Sequence, residues 1–140
     1  MTTAALTAET TETPERTPAA ARAVSGPRVV LGLEGLAVLA AATAAYVAAG
    51  GGWGLYAALF LVPDLGMLAY LAGPRLGAIG YGLTHNYVLP LGLVAAGHAV
   101  GAPTLLLAGL VWVAHIGFDR LLGYGIKYGS GFRDTHLQRV

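Results

Sequence analysis

Four long apolar stretches, separated by short breaks rich in Gly and Pro, dominate the chain from Val29 onward. Each is close to the roughly 20 residues that cross a hydrocarbon core of about 30 Å at 1.5 Å per residue. They predict transmembrane helices over Val29–Ala49, Trp53–Leu71, Leu76–Val100 and Thr104–Gly123. The breaks, Gly50-Gly51-Gly52, Gly73-Pro74-Arg75 and Gly101-Ala102-Pro103, are helix-ending chemistry, and breaks this short force neighbouring helices antiparallel. The expected fold is all-α: a polytopic membrane protein whose residues 29–123 form an antiparallel bundle of four transmembrane helices.

The flanks read differently. Residues 1–28 are rich in Thr, Ala, Glu and Pro and carry almost no large apolar side chain, so they are expected to be a disordered tail. Glu9, Glu12, Pro14 and Glu15 stand where a secretory signal would place its apolar region, so the first span is expected to do the targeting. Residues 124–140 form a Gly-punctuated segment with Tyr124, Lys127, Tyr128, Phe132, Arg133 and Arg139, which suits contact with headgroups at a membrane surface. Anchoring of the topology by positive charge explains those cations equally well.

Composition agrees with a bilayer as the solvent. Of 140 residues, 56% are hydrophobic and only 11% charged, and the mean hydropathy is +0.65. There is room for one domain. The net charge of +1 gives no basis for nucleic-acid binding. The absence of cysteine removes disulfides and thiolate metal sites and leaves His, Asp and Glu as metal ligands. Arg16, Arg22, Arg28, Arg75, Arg120, Lys127, Arg133 and Arg139 all fall on one side of a four-span arrangement. The positive-inside rule makes that side cytoplasmic, which predicts a multi-pass protein of the inner (plasma) membrane with both termini in the cytoplasm.

Against this background the polar residues inside the spans stand out: Glu34, Asp64, His85, Asn86, His115 and Asp119. An acidic side chain near the centre of a membrane helix costs about 2.5 to 3.5 kcal/mol, so several of them demand a compensating arrangement. Counted from the cytoplasmic ends, Glu34 lies about 8 Å deep, Asp64 and His85 about 10 to 14 Å, His115 about 12 Å and Asp119 about 6 Å. All four helices thus bring ionisable groups to one layer. His115 and Asp119 are four residues apart and share a helix face. Pro63 and Pro90 each remove a backbone donor near this layer. Simpler roles are open as well. His85 and Asn86 can be interhelical hydrogen-bond glue, Asp119 can pair with Arg120 at the headgroups, and Glu34 can hydrate at the interface.

The stretches PDLGMLAYLAGPRLGAIGYGLTHNYVLP, from Pro63 to Pro90, and HIGFDRLLGYGIKYGSGFRDTHLQRV, from His115 to Val140, carry a specific resemblance. The chain is similar, from about Arg28 to its C-terminus, to a bacterial family of small integral membrane proteins known as domain of unknown function 4260. The resemblance implies a helical bundle with a patterned polar set and supplies no activity.

Three functions fit these residues. The first is an enzyme at the cytoplasmic leaflet acting on a lipid or hydrophobic small molecule. His85, His115, Asp64, Asp119 and Glu34 would serve there as general acid and base, or His85, His115, Asp119 and Asp64 as ligands of Zn²⁺ or Fe²⁺. The second is a proton-coupled transporter similar to the small multidrug resistance proteins, acting as a homodimer with Glu34 exchanging substrate cation and proton. The third is a structural membrane protein whose polar layer only sets helix register. In a sharper form of the first, Asp134 and His136 fold back over the mouth of the bundle.

Overall fold

Proline placement decides where the helices begin and where they break. A computed structural model describes residues 26–127 together with Thr135 and Leu137. The expected disordered tail lies outside these residues, apart from Gly26–Arg28, which are already helical. Helix α1 runs Gly26–Ala48 and α2 runs Trp53–Phe60, followed by a 3₁₀ helix, Pro63–Ala72. Helices α3 (Pro74–Thr84), α4 (Val88–Ala99) and α5 (Pro103–Leu122) complete the order. Pro63, Pro74 and Pro103 each open their helix, where a missing N–H costs nothing.

Three segments, Gly26–Ala48, Trp53–Ala72 and Pro103–Leu122, are long and apolar enough to cross a membrane. The second is a composite. Eight α residues rise about 12 Å and ten 3₁₀ residues about 20 Å, so together they reach across a core of about 30 Å. Pro63 cannot donate to Leu59, and the chain tightens to bonds three residues apart, Val62 N to Leu59 O and Leu65 N to Val62 O, both 3.1 Å.

The stretch Leu76–Val100, expected as one helix, is two. Pro90 has no N–H for the carbonyl of Asn86 and its ring crowds that group, so the helix breaks in the preceding turn, at His85-Asn86-Tyr87. Asn86 seals the break. Its Nδ2 donates to the carbonyls of Gly82 and Leu83 at 2.8 Å, and its Oδ1 accepts from the Val88 N–H at 2.9 Å. Alone, α3 and α4 rise about 17 and 18 Å, short of a full crossing.

Helix α5 is the centre of the molecule, with α1, α2 and α4 packed on it, while α3 packs on the 3₁₀ helix. Paired glycines let backbones approach where lipid offers no hydrophobic drive for association. A Cβ on Gly35 would sit 2.7 Å from the carbonyl oxygen of Gly117, and one on Gly117 would sit 2.8 Å from that of Gly35. Gly66 and Gly80 repeat the arrangement between the 3₁₀ helix and α3, where a Cβ on Gly80 would meet the Gly66 oxygen at 2.8 Å. The outward surface is apolar: Leu33, Trp53, Leu65, Leu68, Ile79 and Val88 are all more than half exposed.

Helix α5 ends in a Schellman motif. Gly123 is left-handed at φ 84°, its N–H bonds the Arg120 carbonyl and the Tyr124 N–H bonds that of Asp119. Beyond α5, Lys127, Thr135 and Leu137 are buried in the fold. Lys127 bridges Thr135 as an isolated antiparallel pair. Lys127, expected at the headgroup surface, instead sits 4.2 Å from the centre of the Tyr81 ring and 3.8 Å from the Met67 sulfur. An ammonium on aromatic faces retains attraction there that an apolar site would deny it.

Candidate functional site

Two of the breaks in helical structure and one face of α5 supply the candidate side chains. Pro63 starts the 3₁₀ helix and is followed by Asp64; the end of α3 places His85 as its C-cap; and the middle and last turn of α5 carry His115 and Asp119. These four converge. His85 Nε2 lies 3.2 Å from His115 Nε2, 3.4 Å from Asp64 Oδ1 and 3.4 Å from Asp119 Oδ2. His115 Nε2 lies 3.6 Å from Asp64 Oδ1 and 4.0 Å from Asp119 Oδ2. The two imidazoles are 2–3% exposed, Asp119 is 14% exposed and Asp64 is 38% exposed, so the cluster is closed on the histidine side and open at Asp64.

The surroundings fix the imidazoles. His85 Nδ1 lies 3.0 Å from the Tyr81 carbonyl, which can only accept, so Nδ1 carries the proton and Nε2 presents a lone pair to the cluster. The Thr84 hydroxyl, 2.9 Å from the same nitrogen, adds a second polar contact. The Tyr81 ring stacks on the His85 ring with centroids 3.7 Å apart, and its hydroxyl donates to Asp119 Oδ2 at 2.9 Å. The Trp112 indole N–H donates to the Thr84 carbonyl at 2.6 Å and so ties α5 to the end of α3. Phe60 meets the His115 ring edge-on at 5.1 Å. His115 Nδ1 is buried without a hydrogen-bond partner among the described residues.

Four of the five residues singled out from the sequence therefore meet, and the fifth does not. Glu34 is exposed on α1. The face that α1 buries carries Gly35, Ala42 and Tyr46, and Glu34 is turned about 100° away from Gly35. Asp119, next to Arg120 in sequence, turns its carboxylate to Tyr81 and His85. Asn86 seals the helix break, and His98 is exposed at the end of α4. Asp134 and His136 lie outside the described residues. Tyr81, Thr84 and Trp112 escape a reading of the sequence that looks only for ionisable groups. Tyr81 four residues before His85, and Trp112 three before His115, share faces with those histidines, and that spacing is the signal that marks them.

Part of this cluster has donors that could hold a metal ion. Asp64, His85 and His115 offer one ligand atom each within 4.8 Å of one another. Bonds of about 2.0–2.2 Å from imidazole and carboxylate to zinc, at tetrahedral angles, put ligand atoms about 3.3–3.6 Å apart. The separations of 3.2 to 4.0 Å bracket that range. A ligating histidine whose other nitrogen donates to a backbone carbonyl is the usual second contact of such sites, and His85 has it.

The family match covers residues 28–140, which include every residue of this cluster. The chain belongs to the family named domain of unknown function DUF4260. No curated protein and no solved structure matches it.

Proposed function

We propose that this DUF4260 protein is an intramembrane metalloenzyme in which Asp64, His85, His115 and Asp119 hold a Zn²⁺ or Fe²⁺ ion. The observation that carries the reading is the convergence of two imidazole nitrogens and two carboxylate oxygens, with the His85 tautomer set by the Tyr81 carbonyl. The nitrogens and carboxylate oxygens stand 3.2 to 3.4 Å apart, close enough to share either a proton or a single cation, and two carboxylate ligands would balance a divalent charge. An ion held there would supply Lewis-acid activation of water or of a substrate oxygen. Tyr81 holds Asp119 through its hydroxyl and braces the His85 ring. Asp64, the most exposed member, leaves the cluster open on its side, from which a substrate would arrive.

In this reading α3 and α4 together make the third of four crossings, both termini are cytoplasmic in the plasma membrane, and the substrate is a lipid or another hydrophobic molecule that enters from the bilayer. The one-sided Lys and Arg pattern supports the orientation, and the depth of the cluster among membrane-spanning helices supports the substrate class. The exposed position of Glu34, outside the cluster, gives the transport reading no support.

The test is elemental analysis of detergent-purified protein beside His115→Ala and Asp64→Ala. Near-stoichiometric zinc or iron that falls in both variants supports the site. Metal-free, folded wild-type protein overturns it.

A further inference from the structure

The surroundings of the cluster bear on the form of its substrate, an inference that rests on the metalloenzyme reading. A small cavity of about 120 Å³ lies between α2, α4 and α5, lined by Leu59, Val62, Pro63, Leu93, Ala108 and Trp112. None of these side chains is charged, and the indole nitrogen of Trp112 is already committed to the Thr84 carbonyl. A cavity of this size with apolar walls stays dry and takes small hydrocarbons, whereas a water needs two to four polar partners.

Two lining residues, Pro63 and Trp112, adjoin members of the polar cluster along the chain. Pro63 is the residue before Asp64. Trp112 lies one turn before His115 on α5 and bonds the residue next to His85. On the other side Val62 is 43% exposed on the apolar outer surface, so the cavity opens toward the hydrocarbon of the bilayer. The ring of Pro63 is itself buried and removes the donor that would otherwise cross this wall.

We propose that this cavity is the hydrocarbon-chain subsite of the polar cluster, and that the substrate carries an unbranched alkyl chain whose reactive group reaches Asp64 while part of the chain lies between Pro63, Leu93 and Trp112. At roughly the 30 Å³ that one water takes in the liquid, the cavity of about 120 Å³ holds about four groups of that size. It therefore grips a segment of the chain and leaves the remainder in the bilayer.

The two tryptophans allow a direct test, because Trp53 is on the outer surface and Trp112 lines the cavity. Trp53→Phe protein in phosphatidylcholine vesicles is titrated with 12-bromododecanoic acid while Trp112 emission is followed; Trp112→Phe protein reports Trp53 as the bulk-lipid reference. Saturable quenching of Trp112 by half or more, at mole fractions that leave Trp53 nearly unquenched, is expected. Filling the cavity with Ala108→Phe, or with Leu93→Phe should the first fail to fold, abolishes the saturable part. Parallel, non-saturating quenching of both tryptophans, or saturation unchanged in a folded filled variant, overturns the subsite. Metal content is measured on the same samples. Loss of the subsite with metal retained rejects this inference alone, and quenching as expected in metal-free protein rejects the metal reading alone.

Discussion

At the scale of single residues, Tyr81 links the ligand set to its support. Its carbonyl fixes the His85 tautomer, its ring packs on the imidazole and its hydroxyl reaches Asp119. Tyr81→Phe keeps the ring and the carbonyl and removes only the bond to Asp119. The loss of such a supporting contact weakens metal binding by about 10- to 100-fold, which competition against a chelator of known affinity would measure in a variant expected to remain folded. Unchanged affinity would exclude Tyr81 from the support of the site. Lys127 gives a second prediction. Burial pushes its ammonium below the usual lysine range, against the attraction of Asp119 and Asp64. The folded chain then binds fewer protons than the unfolded one between that lowered value and the ordinary lysine value of 10.5, and stability contributed here rises with pH through the window. The melting temperature of the wild type should therefore gain on that of Lys127→Met as pH is raised toward that ordinary value, and a gap that stays constant would contradict the burial of the charge. The four clustered residues are legible in the sequence because an Asp or His in an apolar span has few reasons to be there. The exclusion of Glu34 is not legible from depth, which ignores rotation about the helix; Gly32, Gly35, Ala42 and Tyr46, spaced to one face, carry that information.

At the scale of elements, close backbone contact joins α1 to α5 and the 3₁₀ helix to α3. At the contact between α1 and α5, a methyl group on Gly35 meets backbone atoms of Gly117 and Leu121 at 2.7 Å, and backbone cannot yield as a flexible side chain does. Gly35→Ala is expected to cost about 1–3 kcal/mol, read as a fall in the SDS or thermal unfolding midpoint; Gly92→Ala, with nothing within 4 Å of the new carbon, should leave it nearly unchanged. Apolar runs place α1, the Trp53–Ala72 segment and α5 to within a few residues. The same criterion merges α3 and α4, because hydropathy does not register the missing donor at Pro90 or the way Asn86 satisfies the carbonyls of Gly82 and Leu83. The interruption is the element that matters most for the site. An unbroken helix through His85 would commit its backbone to the next turn and leave no C-cap from which the imidazole turns toward α5.

At the scale of the whole molecule, α5 carries two of the clustered residues and the others are brought to it: Asp64 by the 3₁₀ helix and His85 by the end of α3. Beyond α5, Lys127 pairs with Thr135 and sets its ammonium over the Tyr81 ring. Because the chain has no cysteine, single cysteines report topology cleanly. Arg75→Cys should react with a membrane-impermeant maleimide only after cells are opened, and Gly101→Cys should react in intact cells; the reverse pattern would overturn the orientation with both termini in the cytoplasm. The bound metal is the centre of the functional reading. Zinc and iron measured in detergent-purified wild type, His115→Ala and Asp64→Ala test it most directly. Close to one ion per chain in the wild type and a loss in both variants are predicted, whereas folded wild-type protein without metal, or variants that retain it, would contradict the proposal.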